Sequence, residues 1–378
     1  MAYDESPYAK QEMPLDIAMR TDSLIVALTA LTITLGIPCP APLQGQTGPP
    51  RYEVDPTWPK PLPDTWVIGR PGGICIDHQD HVIVANRRDL TDNDLEAGEQ
   101  APSVMEFDPE GNVVNSWGDP KVLPNSLHSC TVDYENNIWI GGDLDGIVQK
   151  YSHDGKLLLQ IGNRGVLDTS DGTLEGRALN SSHTLLARPA SIAVDPGNGD
   201  IYVADGYGND RVAVFDRNGK YLRQWGHQGS KADAEAGVGG AFMQVVHCVV
   251  MGNDGLVYVC DRQGDRIQVF DKMGNFQKNI WVRTSNEHLP DTTGTDLWLA
   301  FSRDPAQRFM YVANEHHDQI TILDHATGQV VGGFGRVGHQ IGELTHPHTL
   351  AIDSKGNVYA AEVQWGRRIQ KFKIVGSQ

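Results

Sequence analysis

The chain has 378 residues, of which 39% are hydrophobic and 21% are charged, and its formal net charge at neutral pH is −17. A chain this acidic is a poor ligand for nucleic acid or for an anionic membrane surface, so neither is expected as a partner. The length alone would suggest two or three domains, but a repeat architecture can spread one core over a long sequence.

The N-terminal segment contains one apolar run, Leu24–Ile37. At about 14 residues the run is short for a membrane span and suits the core of a signal peptide. Arg20 supplies a positive charge ahead of it, directly after Met19. We therefore predict that residues 1–45 form an extension with a signal peptide, that translation starts at Met19, that cleavage falls within 39–46, and that the protein is exported to the periplasm or secreted. The alternative is an uncleaved N-terminal anchor.

Six copies of one pattern make up the rest of the chain. Each copy has a first strand that ends in Asp or its equivalent, a turn, an aromatic-rich second strand, a loop and a third strand, and most copies close with a strand ending in Gly, as in YLRQWG. Turns such as GN, NG and DG between short runs of alternating polarity favour antiparallel hairpins. Four such strands per copy, repeated radially, make a propeller blade. The copies begin at Pro71, Leu127, Pro189, Val246, Asp296 and Pro347.

The ends of the repeat array predict how the ring closes. The sixth copy stops after its third strand at Lys373, and RYEVDPTW near residue 51 is a strand without a blade of its own. We predict that this N-terminal strand completes the last blade and removes the open sheet edge. The prediction is an all-β protein with a single six-bladed β-propeller over residues 46–378, expected to be a monomer. The copies resemble NHL-type repeats.

Three histidines fall at one register of the repeat, in its second, fourth and sixth copies: His128, His247 and His348. Alternate units of a six-membered ring are a third of a turn apart, so the three imidazoles are predicted to converge. Three neutral imidazoles with a fourth position left for water or substrate suit a catalytic zinc ion, and we predict one. The alternative is that each histidine lines the channel and bonds a carbonyl or a water. The remaining copies carry residues that do not bind metals at this register: Gly72, Ala190 and Leu297.

The loop after each second strand is predicted to lie on the same face of the disc as the histidines, because the start of the first strand adjoins the end of the antiparallel second strand. These loops hold Arg87 and Arg88 in the first copy, Tyr207 in the third and Arg262 in the fourth. A phenol that exchanges a proton and guanidinium groups that bind a carboxylate, beside a metal, form a coherent catalytic set. The alternative is that Tyr207 only packs and that Arg262 pairs with a neighbouring aspartate on a solvated loop.

The stretch VADGYGNDRVAVFDRNGKYLRQWG, with VYVCDRQGDRIQVF and HPHTLAIDSKGNVYAAE, resembles the peptidyl-α-hydroxyglycine α-amidating lyases, six-bladed propellers that hold one zinc ion by three histidines from alternate blades. The resemblance implies that the three histidines are the zinc ligands, that Tyr207 is the catalytic base, and that Arg262 and Arg87 are catalytic or substrate-binding arginines. It implies a reaction in which the α-hydroxyl loses its proton to a tyrosinate and the C–N bond breaks, giving glyoxylate and an amide. Arg88 and His346 are further candidates for substrate binding.

Departures from that family concern the pocket and a second ion. His346 stands where the family has a methionine at the pocket wall, so it is a candidate for an extra ligand or an acid-base group. Thr349 stands where the family has an acidic ligand for a structural calcium ion, so calcium is left open. Gly208 replaces a disulfide cysteine of the family.

Four cysteines lie in the repeat region, Cys75, Cys130, Cys248 and Cys260, and Cys39 precedes it. There is no CxxC spacing, so buried free thiols are the default prediction, with a disulfide left open for an exported protein.

The sequence thus predicts an exported zinc-dependent lyase or hydrolase for a small carbinolamide-like or carboxylated substrate, either a small molecule or derived from a peptide. A calcium lactonase of the other six-bladed kind is an alternative, although it needs carboxylate and amide ligands in the channel. A non-catalytic propeller that binds proteins is another. Three long insertions, Asp89–Ala101, Val166–Leu186 and Gly229–Phe242, are predicted to form a variable rim that shapes the pocket.

Overall fold

The computed structural model describes residues 48–282, 297–314 and 317–377. Internal contacts divide the chain into Met1–Gly45 and Gln46–Gln378, and the described residues all belong to the second unit. The apolar run at 24–37, and with it the predicted signal peptide or anchor, lies outside the described residues. Within those residues no helix is both long enough and apolar enough to span a membrane.

The described strands form six four-stranded antiparallel sheets, each of which is one blade. Two strands precede the first blade, β1 (Pro50–Val54) and β2 (Trp66–Val67). Blade 1 contains β3 (Pro71–Ile76), β4 (Val82–Asn86), β6 (Val104–Phe107) and β7 (Val113–Trp117), and β5 (Glu99–Gln100) lies between β4 and β6 and pairs with β2. Blade 2 contains β8 (Leu127–Val132), β9 (Ile138–Gly142), β10 (Val148–Tyr151) and β11 (Leu157–Ile161).

The third and fourth blades repeat this order. Blade 3 contains β12 (Ser191–Val194), β13 (Ile201–Asp205), β14 (Arg211–Phe215) and β15 (Tyr221–Trp225). The short strands β16 (His227–Gln228) and β17 (Ala241–Phe242) pair in the loop after blade 3. Blade 4 contains β18 (Val246–Met251), β19 (Val257–Asp261), β20 (Arg266–Phe270) and β21 (Phe276–Trp281).

The last two blades complete the ring. Blade 5 contains β22 (Leu297–Phe301), β23 (Phe309–Asn314), β24 (Gln319–Asp324) and β25 (Val330–Phe334). Blade 6 contains β26 (Pro347–Ile352), β27 (Val358–Glu362), β28 (Arg368–Ser377) and, as its fourth strand, β1. The all-β class and the six-bladed propeller are therefore confirmed.

Burial along the strands follows from their place in the blade. The second strands, such as β4 and β9, are buried at every residue and are largely apolar, because both of their faces pack against neighbouring blades. The fourth strands are more exposed, and two of them, β7 and β1, alternate between half-buried and exposed residues with the two-residue period of a strand that has one solvated face. The core therefore lies between blades, and the clusters of buried side chains each combine residues from adjacent blades.

The N-terminal strand closes the ring as predicted. β1 pairs antiparallel with β28, from Pro50 opposite Ser377 to Val54 opposite Phe372. The predicted end of the last strand at Lys373 is wrong, since β28 continues to Ser377. β28 extends beyond Lys373 because β1 pairs with its last residues and supplies their hydrogen-bonding partners.

Two of the predicted rim insertions contain short helices. Helix α1 (Asp92–Ala97) lies in the first insertion and helix α2 (Lys231–Glu235) in the third. Each begins with a capping box, in which Thr91 or Ser230 exchanges hydrogen bonds with an aspartate three residues later.

The prediction of free thiols is wrong, because the four cysteines of the propeller form two disulfides. Cys75 of β3 is bonded to Cys130 of β8, so the first strands of blades 1 and 2 are crosslinked. Cys248 and Cys260 face each other on paired strands of blade 4 and are bonded. The Cα separations of 5.3 and 4.8 Å lie in the ordinary disulfide range. Sequence spacing could not reveal this, because one pair depends on the distance between blades.

Candidate metal centre

The three predicted ligands lie at β-bulges near the start of the first strands of blades 2, 4 and 6. The pairing register shifts between Leu127 and Ser129, between Val246 and Cys248, and between Pro347 and Thr349. His128, His247 and His348 are the extra residues at these three shifts. A bulge bends its strand and redirects a side chain, which explains how a residue on a blade's first strand turns toward the other two blades.

The three imidazoles meet at one point. Their ring centroids are 5.0 Å apart for His128 and His247, 4.6 Å for His128 and His348, and 5.2 Å for His247 and His348. One nitrogen of each ring lies within 4.8 Å of the corresponding nitrogens of the other two, and all three residues are buried. The Nε2 atoms of His128 and His348 are 3.1 Å apart. Nitrogens that share a tetrahedral zinc ion with bonds of about 2.0–2.1 Å are separated by about 3.3 Å, so the spacing fits.

The protonation chemistry of the site also fits a cation. His128 Nδ1 lies 2.8 Å from the carbonyl oxygen of Ala190, to which it donates when it carries the proton, and this leaves Nε2 as a free lone pair facing the other rings. Burial holds the pKa of His128 well below its usual range, and the charge of Arg87 lowers it further. Burial and the two neighbouring histidines do the same for the pKa of His348. Neutral, converging imidazoles in a buried site are the donor set that a divalent transition metal requires.

Gly72 occupies the same register in blade 1, and the local packing requires glycine there. A Cβ atom at Gly72 would lie 1.8 Å from the carbonyl oxygen of Leu127 and 2.8 Å from Arg87 Nε. The Arg87 Nε also donates to that carbonyl oxygen at 2.9 Å. Leu127 directly precedes His128, so Arg87 ties the loop of blade 1 to the strand that carries a predicted ligand.

Tyr207 lies beside the histidines, as predicted from the loop that carries it. Its hydroxyl group is 2.9 Å from His128 Nε2, and its ring contacts the rings of His128 and His247. Glycines flank the residue on both sides and allow close approach of the chain, since a Cβ at Gly206 would lie 2.1 Å from the carbonyl oxygen of Val246. Burial raises the pKa of Tyr207 to about 12, although nearby arginines oppose the rise.

Arg262 and Arg87 lie close enough to the centre to act electrostatically on it and on Tyr207. Burial is the main cause of the low pKa values of His128 and His348, and the positive charge of each arginine lowers them further. At Tyr207 burial raises the pKa, and the two arginines oppose that rise. One of the two aspartates beside Arg262 is engaged by another residue. Asp261 pairs with Arg266 at 2.8 Å, and both side chains are fully buried.

The two other predicted site residues lie on neighbouring loops. Arg88 has a positive φ of 60°, and its backbone N–H donates to Asn86 Oδ1. His346 has a φ of 58°, and its backbone N–H donates to Asp318 Oδ1 at 2.7 Å. The group of three converging histidines includes neither residue, so their roles in binding substrate stay predictions.

Sequence reasoning missed three residues of the site. The guanidinium of Arg188 lies over the ring of Tyr207, 5.4 Å from its centroid, and Arg188 Nε donates to the carbonyl oxygen of Asp143 at 2.9 Å. Asp143 is buried and raises the pKa of Tyr207. Trp298 of blade 5 packs its ring against His247 and His348. The repeat register could have indicated Arg188 and Asp143. Arg188 precedes the first strand of its blade as His346 does, and Asp143 follows the second strand of its blade as Arg87 does.

Fold and site together define an NHL-repeat six-bladed propeller with a three-histidine centre where blades 2, 4 and 6 meet. Residues 150–378, more than half of the chain, match the family described as lactonase, 7-bladed beta-propeller, and the chain belongs to that family. Its own ring has six blades.

Relatives of known name include the family expected from the sequence. NHL repeat-containing protein 3 of Homo sapiens is 26% identical over 335 residues, which cover 86% of this chain and 85% of that protein. Peptidyl-alpha-hydroxyglycine alpha-amidating lyase 1 of Drosophila melanogaster is 27% identical over 273 residues, which cover 69% of this chain and 47% of that protein. A solved streptogramin B lyase has a TM-score of 0.52 at 14% identity, covering 86% of this chain and 98% of that one, and this likeness shows the fold alone. The chain is therefore a distant relative of the amidating lyases.

Proposed function

We propose that the protein is an exported zinc-dependent lyase that cleaves the C–N bond of α-hydroxyglycine-type carbinolamides to an amide and glyoxylate. The observation that carries the proposal is the position of the Tyr207 hydroxyl, 2.9 Å from a nitrogen of a buried three-histidine group. The distant relation to amidating lyases supports the reaction class. The two disulfides support export, because such bonds persist in oxidising compartments.

Binding of the substrate is assigned to the arginines around the centre. Arg87, Arg188 and Arg262 are all close enough to act electrostatically on Tyr207. A glycine-derived carbinolamide carries one carboxylate, and a guanidinium binds a carboxylate through two parallel hydrogen bonds. One or more of these arginines would hold the carboxylate and thereby set the α-hydroxyl against Tyr207.

Tyr207 is assigned the proton transfer. As a tyrosinate it accepts the proton of the α-hydroxyl, the C–O bond becomes a carbonyl, and the electron pair of the C–N bond passes to the amide nitrogen. That nitrogen then takes the proton back from Tyr207, so the reaction consumes neither water nor a redox partner. A zinc ion held by the three histidines would supply Lewis acidity toward the substrate hydroxyl.

The pKa of Tyr207 links its assignment as a base to the presence of a metal ion. Burial alone favours the neutral phenol, and the pKa of about 12 is above the usual value despite three opposing arginines. A dication beside the phenol adds a larger positive charge than any one arginine, and so would lower that pKa further. The proposal therefore links turnover to occupancy of the histidine group.

The test combines metal content with product release. Purified protein should contain zinc and should release glyoxylate from an N-acyl-α-hydroxyglycine. Tyr207→Phe should keep the zinc and lose at least about 100-fold in turnover, the usual contribution of a positioned acid-base group. Tyr134→Phe, at an exposed tyrosine of blade 2, is the matched control and should retain full turnover.

Other outcomes separate the competing functions. Undiminished glyoxylate release by Tyr207→Phe would refute the assigned role. A second candidate, a metal-dependent lactonase, is favoured by the family match, and hydrolysis of lactones in place of glyoxylate release would select it. A folded protein without metal or turnover would instead favour a propeller that binds proteins.

A further inference from the structure

Two carboxylates are buried at the boundary between blades 1 and 2, on the face of the disc opposite the histidines. Asp77 follows the end of β3, and Glu106 lies in the third strand of the same blade. Their side chains are only 1% and 7% exposed. Asp77 is about five residues along the strand from the histidine register, which corresponds to roughly 16 Å.

The equivalent positions of blade 2 show one way in which the repeat satisfies this aspartate. Asp133 accepts a hydrogen bond from Trp139 Nε1 at 3.0 Å and forms an ion pair with Lys150 at 3.0 Å. Trp139 and Lys150 face each other across β9 and β10. The residues that face each other at this position of blade 1 are Ile83 and Glu106.

Blade 6 follows the same plan as blade 2. Asp353 accepts a hydrogen bond from Tyr359 at 3.1 Å, and Tyr359 faces Lys371 across the sheet. Blade 1 thus lacks the aromatic donor and has a second carboxylate where blades 2 and 6 have lysine. This departure places two acidic side chains together in a buried site without the repeat's own cation.

Two histidines surround the carboxylates. His153, from the turn after β10 of blade 2, has Nε2 3.5 Å from Asp77 Oδ2 and Nδ1 3.5 Å from Glu106 Oε2. His81 Nδ1 is 2.6 Å from Glu106 Oε1 and 3.6 Å from Asp77 Oδ2. The Nε2 atom of His153 is buried and has no hydrogen-bond partner within the described ranges.

Within the described residues, the two carboxylates have hydrogen-bond donors but no lysine or arginine partner: Asp77 Oδ1 accepts from backbone N–H groups, and Glu106 Oε2 accepts from Asn115 Nδ2. Of the lysines and arginines in the described parts of the chain, none forms an ion pair with Asp77 or Glu106. Burying two carboxylates without compensation is costly, so such groups are normally paired or coordinate a metal. The separations of 3.5 Å are too long for good hydrogen bonds. A metal ion takes one nitrogen of an imidazole, and the separation of His153 Nε2 from Asp77 Oδ2 is close to the roughly 3.3 Å between ligands of one tetrahedral ion.

We propose that Asp77, Glu106 and His153 form a second metal site that binds a divalent transition-metal ion such as Zn²⁺ or Mn²⁺. One ligand atom of each residue lies within 4.8 Å of those of the other two. His81 hydrogen-bonds the second oxygen of Glu106 and orients that carboxylate, as partners of metal ligands commonly do. Because His153 comes from blade 2 and the carboxylates from blade 1, the ion joins two blades of the ring.

The test counts ions in the full chain after removal of metal with a chelator and addition of Zn²⁺ or Mn²⁺. If the histidine centre also binds, the wild type holds two ions, and Asp77→Asn and Glu106→Gln each hold one. Asp133→Asn, the equivalent aspartate of blade 2 with its lysine partner, should keep both ions. His128→Ala should lose only the ion of the histidine centre, so failure of one site is distinguishable from failure of the other.

A second variant guards against simple misfolding. Ile83→Trp combined with Glu106→Lys restores in blade 1 the pair that blade 2 carries. This double variant should fold, as judged by its circular dichroism and thermal transition, and should bind one ion fewer than the wild type. The proposal is overturned if Asp77→Asn and the double variant bind as many ions as the wild type, or if the wild type's bound metal disappears entirely with His128→Ala.

Discussion

Asp210 is a buried carboxylate whose ionisation should oppose folding. It lies directly before β14, is 7% exposed, and its Oδ1 has no hydrogen-bond partner in the part of the chain that the structure describes. Burial, with repulsion from Asp261 and Asp205, raises its pKa from 3.8 to about 6. The folded protein therefore holds the Asp210 proton more tightly than the unfolded chain does.

The sign and size of the effect follow from linkage. With a folded pKa above the unfolded one, stability is fully present below pH 3.8 and is lost as the pH rises to about 6. A shift of about two units corresponds to about 3 kcal/mol at 1.36 kcal/mol per unit. Asp210→Asn removes the charge and nearly preserves the shape, so it should stabilise the protein by about 2–3 kcal/mol at pH 8 and by much less at pH 4.

Urea unfolding of wild type and Asp210→Asn at pH 4 and pH 8 measures the difference directly. Asp216→Asn is the matched control, because backbone N–H groups of Lys220 and Asn218 hydrogen-bond to that exposed carboxylate and lower its pKa. The control should change stability in the opposite direction, destabilising at pH 8. Destabilisation by Asp210→Asn at pH 8, or a gain in stability that does not depend on pH, would refute the reasoning. Either result would mean that ionisation of Asp210 does not destabilise the folded protein.

Three further predictions concern the centre and the crosslinks. Gly72→Ala should weaken zinc binding at least tenfold in a chelator competition, because its Cβ would lie 1.8 Å from the carbonyl oxygen that precedes His128; unchanged affinity would show that the strand can move freely. Arg188→Gln should raise KM for a carboxylated substrate more than it lowers kcat, because the side chain lies over Tyr207; equal KM values would exclude a role in carboxylate binding. Replacing both cysteines of Cys75–Cys130 by alanine should cost about 4 kcal/mol in urea unfolding, against about 3 kcal/mol for Cys248–Cys260, because their sequence separations are 55 and 12 residues; the reverse order would contradict the loop-entropy argument.

Much of the fold was predictable because a repeat constrains geometry. Once six copies are counted, ring closure needs an extra strand, and the pairing of β1 with β28 confirms that prediction. The meeting of His128, His247 and His348 follows in the same way, since alternate blades face a common point. Local sequence could not give the bulges, because the register shift depends on how two strands pair and leaves no distinctive residue pattern.

The missed features are contacts between residues that are distant along the chain, and only some of them join different blades. Cys75 and Cys130 belong to different copies, and only the lateral packing of blades 1 and 2 brings them together. Arg188 reaches Tyr207 through a loop whose path is set by positive φ, which arginine adopts only under constraint. Spacing along the chain carries no information on the disulfide, whereas the repeat register gave an indirect signal for Arg188, which precedes its first strand as His346 does.

Departures from the repeat coincide with the sites where chemistry is inferred. Three copies carry a small or apolar residue at the inner register, and the second strands of blades 2 to 6 each contain an aromatic residue that packs in the core. Histidine replaces the small residue where blades 2, 4 and 6 meet. In blade 1, Ile83 and Glu106 replace the aromatic residue and lysine that blade 2 uses to satisfy its aspartate. Both replacements put groups into the interior that are costly to bury without a cation. A repeat protein thus shows its candidate sites as positions where some copies depart from a residue type that other copies use.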